Sequence, residues 1–432
     1  MKILFCSEVF FPMNSGGMEV YIHGLAKSLQ KSNIEVTLLI SDIGAARKYL
    51  YDGLQIQTYP IPESPTSSEL NGLTRPRGIE EFESLVRIGS PDLVHFHSLG
   101  RAINAYCIEV VSRLDIPVVL TVHRTTNICI RSDFNRFGTE ACNGKVDRDV
   151  CLACFLSFKG LPKSIAQPSV HLMSKLQIRL NNLLPSINIA NHKFEEIKRI
   201  KENTQTVIAL SKVTFDALQA NGIDPPKLKL VSQGISVDMI NAGSDRKSDN
   251  SELNQISFGY WGRIHPEKGI RMMIKAIQFI DPKEHSLTII GAKVPGLEGF
   301  YAEMQHLTHD MESIKWVGGC SQQQLPSYLS DIDVLILPTV TNEMAPLVIL
   351  EAFAFGIPVI GSDCTGISSM VEHGRTGLLF EQGQVSELTN QLRRIVNNPE
   401  LVIEFSKNIG SVRSLDDVGR DMLDIYQEIL SS

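Results

Sequence analysis

The chain has 432 residues, too many for one ordinary core, so two or three domains are expected. Hydrophobic residues make up 43 % and charged residues 21 %, a balance that excludes a largely disordered chain. The net charge of −7 gives no whole-chain basis for nucleic-acid binding.

The start, MKILFCSEVFFPMNSGG, does not read as a signal peptide, because Glu8 breaks its short apolar run and no small-residue cleavage site follows. Residues 2–6 (KILFC) read instead as a buried strand. A loop with Gly16 and Gly17 comes next, then a segment (19–30) with Val20, Leu25 and Leu29 at helical spacing, then an apolar run at 35–40. Strand, glycine loop, helix, strand is the repeating unit of a parallel sheet. Further strands are expected at 92–96 (DLVHF), 117–122 (PVVLTV) and 206–210 (TVIAL). Between 125 and 185 the alternation stops for longer than a compact domain's connections usually run, which marks a functional insertion. The polar stretch 241–255 reads as a linker. The pattern then restarts, with strands expected at 256–260, 287–290, 314–317, 334–337 and 359–360. The fold class is therefore α/β, with two doubly wound halves. Such sheets bind ligands at the carboxyl ends of their strands, so a central cleft faced by both halves is the expected active site. No stretch reads as a membrane-spanning helix, since Pro346, Glu351, Gly356 and Pro358 break the nearest one. A cytoplasmic protein is expected, with its eight cysteines as thiols or metal ligands.

The second half opens with chemistry suited to a diphosphate. Arg263 and Lys268 follow the strand at 256–260. Arg can fork onto two phosphate oxygens, Lys supplies a point charge, and a helix beginning near Gly269 adds its N-terminal dipole. Further on, Glu343 and Glu351 are separated by seven residues in NEMAPLVILEAFAFG. A carboxylate just past strand 334–337 can accept from sugar hydroxyls. One about two turns into the next helix can accept both hydroxyls of a ribose. Ala345, Pro346 and Leu347 place the start of that helix against phosphate. Glu351 sits among Leu347, Val348, Ile349, Leu350, Ala352, Phe353 and Phe355, so it is expected to be buried and to need a partner. His123 ends the strand at 117–122, and His95 and His97 end the strand at 92–96 on one face, read as cleft lining. Asp331 and Asp333 form an Asp-x-Asp pattern, but Asp333 reads as a strand-entry residue and not as a metal ligand.

Taken together these residues resemble the family 4 retaining glycosyltransferases of the GT-B fold, over nearly the whole chain. The residues that carry the resemblance are Gly16-Gly17, His123 in VVLTVHR, Arg263 and Lys268 in GRIHPEKG, the Glu-x7-Glu pair Glu343 and Glu351, and the segment EAFAFGIPVIGSDCTGISSMVEHGRTGLLF. The resemblance implies two Rossmann-like domains. Residues 1–240 form an acceptor-side domain with a cysteine-containing insertion at about 125–185. Residues 241–255 are the linker, 256–415 the nucleotide-sugar domain, and 416–432 a helix packing back on the first domain. Arg263 and Lys268 then hold the donor diphosphate, Glu343 the donor sugar, Glu351 the ribose and His123 the transferred sugar, while the glycine loop approaches phosphate or acceptor. No cofactor is required for catalysis. The donor is UDP- or GDP-linked and the acceptor a glycan or lipid-linked sugar of envelope or exopolysaccharide synthesis. A sugar-nucleotide epimerase and a non-catalytic sugar-nucleotide sensor are the alternatives.

Two further signals lie in the insertion. Cys129, Cys142, Cys151 and Cys154 form a C-x12-C-x8-C-x2-C pattern, which suits a tetrahedral thiolate site: structural zinc, or an iron–sulfur cluster with the same ligands. Residues 155–202 carry eight Lys or Arg against three Glu, with Leu172, Met173, Leu176, Leu180, Leu183 and Leu184 at helical spacing. Such a helix either packs on the first domain or rests on anionic lipid at the inner face of the membrane.

Overall fold

The computed structural model describes residues 1–13, 16–44, 46–64, 66, 69, 74–175, 185–246 and 255–431, with the side chains of 175 and 185–188 left out of account. The chain forms two compact units, Met1–Ser232 with Asp416–Ser432, and Gln233–Leu415.

The first unit is built on an eight-stranded sheet in the order β10-β9-β6-β5-β1-β2-β4-β3. Its strands are β1 (Lys2–Ser7), β2 (Glu35–Ile43), β3 (Lys48–Tyr51), β4 (Leu54–Ile61), β5 (Leu93–His97), β6 (Val118–Val122), β9 (Thr206–Ala209) and β10 (Leu228–Leu230); β7 (Asn135–Arg136) and β8 (Glu140–Ala141) pair separately. All pairs in the large sheet are parallel except β3 with β4. The central strands β1, β5 and β6 are buried almost throughout and predominantly apolar because helices cover both faces of a parallel sheet. Helix Gly17–Lys31 turns Tyr21, Ile22, Leu25, Ala26 and Leu29 inward, the spacing that puts residues on one helical face. Strands β3 and β4 escape a search for continuous apolar runs. They form an edge hairpin closed by Asp52 (φ 46°) and Gly53 (φ 75°), the turn that suits two-residue hairpin loops, and β4 alternates in burial at first.

The insertion is not without order. Helices Arg148–Phe158 and Lys163–Lys175 lie within it and the longer Pro185–Asn203 follows it, and Asp147 caps the first by accepting from the backbone N–H groups of Asp149 and Val150. Leu152, Ala153, Ala166, Val170 and Ala190 make a small satellite core against which Ile130, Phe137 and Met173 pack. The helix Leu415–Ser431 contributes its last sixteen described residues to the first unit, burying Val418, Met422 and Tyr426.

The second unit carries a six-stranded, all-parallel sheet in the order β13-β12-β11-β14-β15-β16. The strands are β11 (Ile256–Trp261), β12 (His285–Ile290), β13 (Ile314–Gly318), β14 (Val334–Leu337), β15 (Val359–Ser362) and β16 (Gly377–Phe380). Helices Ile270–Ile277 and Val385–Asn397 bury Met273, Ile277, Leu388 and Leu392 with Phe258, Leu287, Ile336 and Phe405 in one core. The expected linker is corrected at its start. Asn241–Ser244 continue a helix, Val237–Ser244, whose Ser236 hydroxyl accepts from the Met239 N–H and whose Met239 is buried. Polar composition hid a capped helix with one buried face. Residues 247–254 of that stretch lie outside the described residues.

Candidate active site

Strand order locates the ligand-binding edge of each unit before any side chain is considered. In the second unit the chain runs outward from β11 through β12 to β13, then returns to the other side of β11 with β14. The loops after β11 and β14 therefore diverge at a topological switch point, where open α/β sheets bind ligands. The first loop holds Arg263 and Lys268, the second Glu343. The two loops are tied together: Val340 N–H and the Thr339 hydroxyl both donate to the Glu267 carbonyl, at 2.9 and 3.0 Å. Gln382, beyond β16, donates to the carbonyls of Thr339 and Thr341.

Lys268 Nζ donates to Glu343 Oε1 across these loops, and the two side chains are 22 % and 17 % exposed. Arg263 is exposed; its backbone carbonyl accepts from the Tyr260 hydroxyl at 2.8 Å, and its guanidinium meets no side-chain partner among the described residues. The structure thus joins Lys268 to Glu343 and leaves the Arg263 guanidinium at the surface. Gly269 caps helix Ile270–Ile277 with φ 70°, and a Cβ there would lie 1.7 Å from the Pro338 carbonyl oxygen. Only glycine allows the helix start to approach the end of β14 so closely.

Glu351 lies just over one turn into helix Leu347–Ala354, not two, because Pro346 is its N-cap. It is 5 % exposed and has the partners its burial requires: Trp261 Nε1 donates to Oε2 at 2.8 Å, and the Gln322 side chain donates as well. Burial pushes its carboxyl above the ordinary range, opposed by those two hydrogen bonds. Trp261 and Gln322 could not be chosen from sequence, since one ends β11 and the other follows β13. Ala345 and Pro346 are half-buried and Leu347 is buried; the Ala345 carbonyl accepts from Gln233 at 2.9 Å. Asp333 is a strand-entry residue: its N–H donates to the Ser257 carbonyl, and its carboxylate accepts from the Ser257 N–H and lies 3.7 Å from Arg246.

In the first unit the switch falls between β1 and β5. Gly16 is the N-cap of helix Gly17–Lys31, and its carbonyl accepts from Val20. Glu8, in the loop after β1, accepts from the Arg101 N–H at 2.7 Å and lies 3.7 Å from the Arg124 guanidinium. His123 directly follows β6, with its Nε2 3.3 Å from His97 Nδ1 and its ring edge-on to Tyr21. Burial, with Arg124 beside it, pulls its imidazole down to about 3, so it is a neutral ring at ordinary pH. The reading of His95 and His97 as cleft lining is corrected. Both are fully buried. His95 is hydrogen-bonded to Tyr426 of the C-terminal helix (2.6 Å) and to Thr121 (2.7 Å), and His97 packs on Phe5. Alternation put them on one face, but Tyr426 of the C-terminal helix covers His95, and Phe5 and Tyr21 enclose His97.

Cys129, Cys142, Cys151 and Cys154 all line one small cavity in the insertion. Within the basic stretch, Lys193 pairs with Glu196 in a buried position, and Arg199 stacks on Tyr106 and reaches Glu109. These charges serve packing in the first unit. Leu172 is exposed and Met173 packs on the satellite core, while Leu176, Leu180, Leu183 and Leu184 lie outside the described residues. Among the described residues, no helix is long and apolar enough to cross a membrane.

Comparison with known proteins matches these two units to two family models: Glycosyltransferase Family 4 over residues 15–144 and Glycosyl transferases group 1 over residues 242–411. A D-inositol 3-phosphate glycosyltransferase of Corynebacterium glutamicum is 25 % identical over 205 residues, covering 45 % of this chain and 49 % of the relative. The amylovoran biosynthesis glycosyltransferase AmsK of Erwinia amylovora is 25 % identical over 217 residues, covering 48 % and 51 %. The chain thus spans about half the length of the curated relatives it matches. HepE of Anabaena, solved in complex with UDP and glucose, shares the fold along 99 % of both chains with a TM-score of 0.64 at 16 % identity. Two parallel α/β sheets, of eight and six strands, are the architecture of GT-B glycosyltransferases, and with family models matching in both units the chain belongs to the family 4 glycosyltransferases.

Proposed function

We propose that the protein transfers a sugar from a nucleotide-diphosphate sugar, UDP- or GDP-linked, to a glycan or lipid-linked acceptor with retention of configuration. The observation that carries this reading is the Lys268–Glu343 pair at the switch point of the second sheet, beside the unengaged Arg263 guanidinium. A cation and a carboxylate joined there suit the two ends of a sugar diphosphate: the ammonium for phosphate, the carboxylate for sugar hydroxyls. In the resting protein Glu343 occupies the ammonium that phosphate takes over. Arg263 adds a forked donor, and the backbone N–H groups at the start of helix Leu347–Ala354 add a third anion contact. Glu351 is assigned to the ribose. The first unit is the acceptor side, with His123, as a neutral ring, and the Gly16-Gly17 helix start as its ligand contacts.

In the reaction, the bond from the anomeric carbon to the β-phosphate oxygen breaks through an oxocarbenium-like state. The acceptor oxygen bonds on the same face, and its proton passes to the departing phosphate oxygen. Lys268 and Arg263 offset the charge that grows on that phosphate. The relative named for amylovoran biosynthesis supports an envelope or exopolysaccharide acceptor.

A melting screen with UDP, GDP and their sugar derivatives tests the donor assignment. A ligand at about 100 times its Kd adds about 2.7 kcal/mol and raises the melting temperature. Release of nucleoside diphosphate from the stabilising sugar nucleotide then tests the chemistry. If no nucleotide shifts the melting curve and none is hydrolysed, the assignment is wrong.

A further inference from the structure

The insertion brings together four thiols that the sugar-transfer reading leaves unused. Cys129 follows the β6 loop, Cys142 follows the small β7–β8 hairpin, and Cys151 and Cys154 lie one turn apart in helix Arg148–Phe158. All four line a single cavity of about 30 Å³, large enough for one water-sized occupant. None is in a disulfide. Among the described residues, no three His, Cys, Asp or Glu side chains are gathered closely enough to hold a metal as they stand. The thiols surround the cavity but do not close on its centre.

The rest of the lining matches a negatively charged occupant. Arg131, Arg136 and Lys145 line the same cavity. Among the described residues the Arg136 Nε–H is buried without a hydrogen-bond partner, a costly state for a charged donor unless an acceptor arrives. The Phe137 N–H donates to Cys154 Sγ at 3.1 Å, the backbone contact that steadies a thiolate. A divalent ion with four thiolates carries a net charge of −2, which Arg136, Lys145 and the amide donor would offset, Arg131 being paired with Asp133. Two disulfides would be neutral and would leave the Arg136 donor without its acceptor.

The backbone also needs an outside source of order. Ser132 (φ 68°), Phe134 (φ 47°) and Phe137 (φ 55°) occupy the left-handed region that non-glycine residues avoid. The satellite core lies mostly in the helices that follow.

From this juxtaposition of four thiols, one cavity and an unpaired guanidinium donor, we propose that Cys129, Cys142, Cys151 and Cys154 bind a single structural zinc ion. Zinc holds four sulfurs at about 2.3 Å in a tetrahedron, so side-chain rotations must draw the thiols inward. Binding energy then becomes folding energy for the segment between Cys129 and Cys154. That segment leaves β6 just beyond His123, so the ion also secures the loop that carries the imidazole.

The test is elemental analysis of the full chain, purified under reducing conditions without added metal. About one zinc per chain is expected, released in step with titration of four thiols by a mercurial. Cys142→Ser and Cys151→Ser should each remove most of the zinc, whereas Cys320→Ser, in the other unit, should retain it. Chelation should open 129–154 to proteolysis while both units stay folded. Less than about a tenth of an equivalent of zinc in the wild-type chain, with all four thiols freely titrating, overturns the proposal. So does stoichiometric iron with visible charge-transfer absorbance, which would replace zinc with a cluster. The wild-type measurement decides even if a variant fails to fold.

Discussion

Replacing Lys268 with alanine separates a phosphate-binding lysine from one that merely braces Glu343. The ammonium and the carboxylate are mostly shielded, at 22 % and 17 % exposed, but are not dry. At an effective dielectric near 20, unit charges about 3 Å apart attract by roughly 5 kcal/mol before desolvation is subtracted. The net worth of a charge-assisted hydrogen bond is about 1.5–3 kcal/mol. Losing that bond to a bound diphosphate should weaken UDP or GDP binding by roughly 10- to 150-fold. A second effect has the same sign, because Glu343 then keeps its charge without a counterion and repels the phosphates. Adding Glu343→Gln to Lys268→Ala should therefore recover about tenfold, a coupling near 1.4 kcal/mol. The free nucleoside diphosphate is the right probe, since it lacks the sugar that Glu343 is assigned to hold. Stability should fall by only about 1 kcal/mol, a few degrees of melting temperature, because the pair is partly solvated. Calorimetric titration measures the binding and circular dichroism the fold. A folded Lys268→Ala protein that binds the diphosphate within threefold of wild type refutes the role.

Glu351→Gln should retain the fold, since the amide oxygen can still accept from Trp261, and should weaken nucleoside diphosphate binding by about tenfold, the worth of roughly one hydrogen bond. Equal affinities of variant and wild type would remove Glu351 from the ribose. Gly269→Ala should lower the melting temperature by several degrees: a Cβ 1.7 Å from the Pro338 oxygen and a left-handed backbone together cost roughly 2 kcal/mol or more. A melting curve superimposable on wild type would show that the loop relaxes freely. His95, His97 and His123 are held neutral, all with lowered pKa values, His123 at about 3. The unfolded chain takes up their protons near pH 6.5 and the folded chain only well below, so their contribution is complete above about pH 6.5 and is lost as pH falls toward 3. Denaturant titrations across that window should show a steady loss of stability, and His95→Asn should flatten it; a pH-independent midpoint would contradict the buried neutral assignment.

Much of the fold was legible because parallel sheets announce themselves locally. Buried on both faces, β1, β5, β6 and β14 are predominantly apolar runs, and any reading of period and composition finds them. The motif residues were legible too, since Arg263, Lys268, Glu343 and Glu351 lie at characteristic offsets from strand ends. Local pattern failed where partners are distant in the chain. The β3–β4 edge hairpin alternates in polarity, and the helix Val237–Ser244 is short and runs on into a polar stretch, so neither carries an unbroken apolar run. His95 looked like cleft lining until Tyr426, 331 residues away, covered it. The need of Glu351 for a partner followed from its apolar neighbours, but the identity of that partner, Trp261, depended on strands β11 and β14 lying side by side. The same adjacency joins Lys268 to Glu343 across 75 residues. Hydrophobic period acts over a few residues and can be read from them. Which strand ends become neighbours depends on the order in which the whole sheet is assembled, and that order alone sets Lys268 beside Glu343.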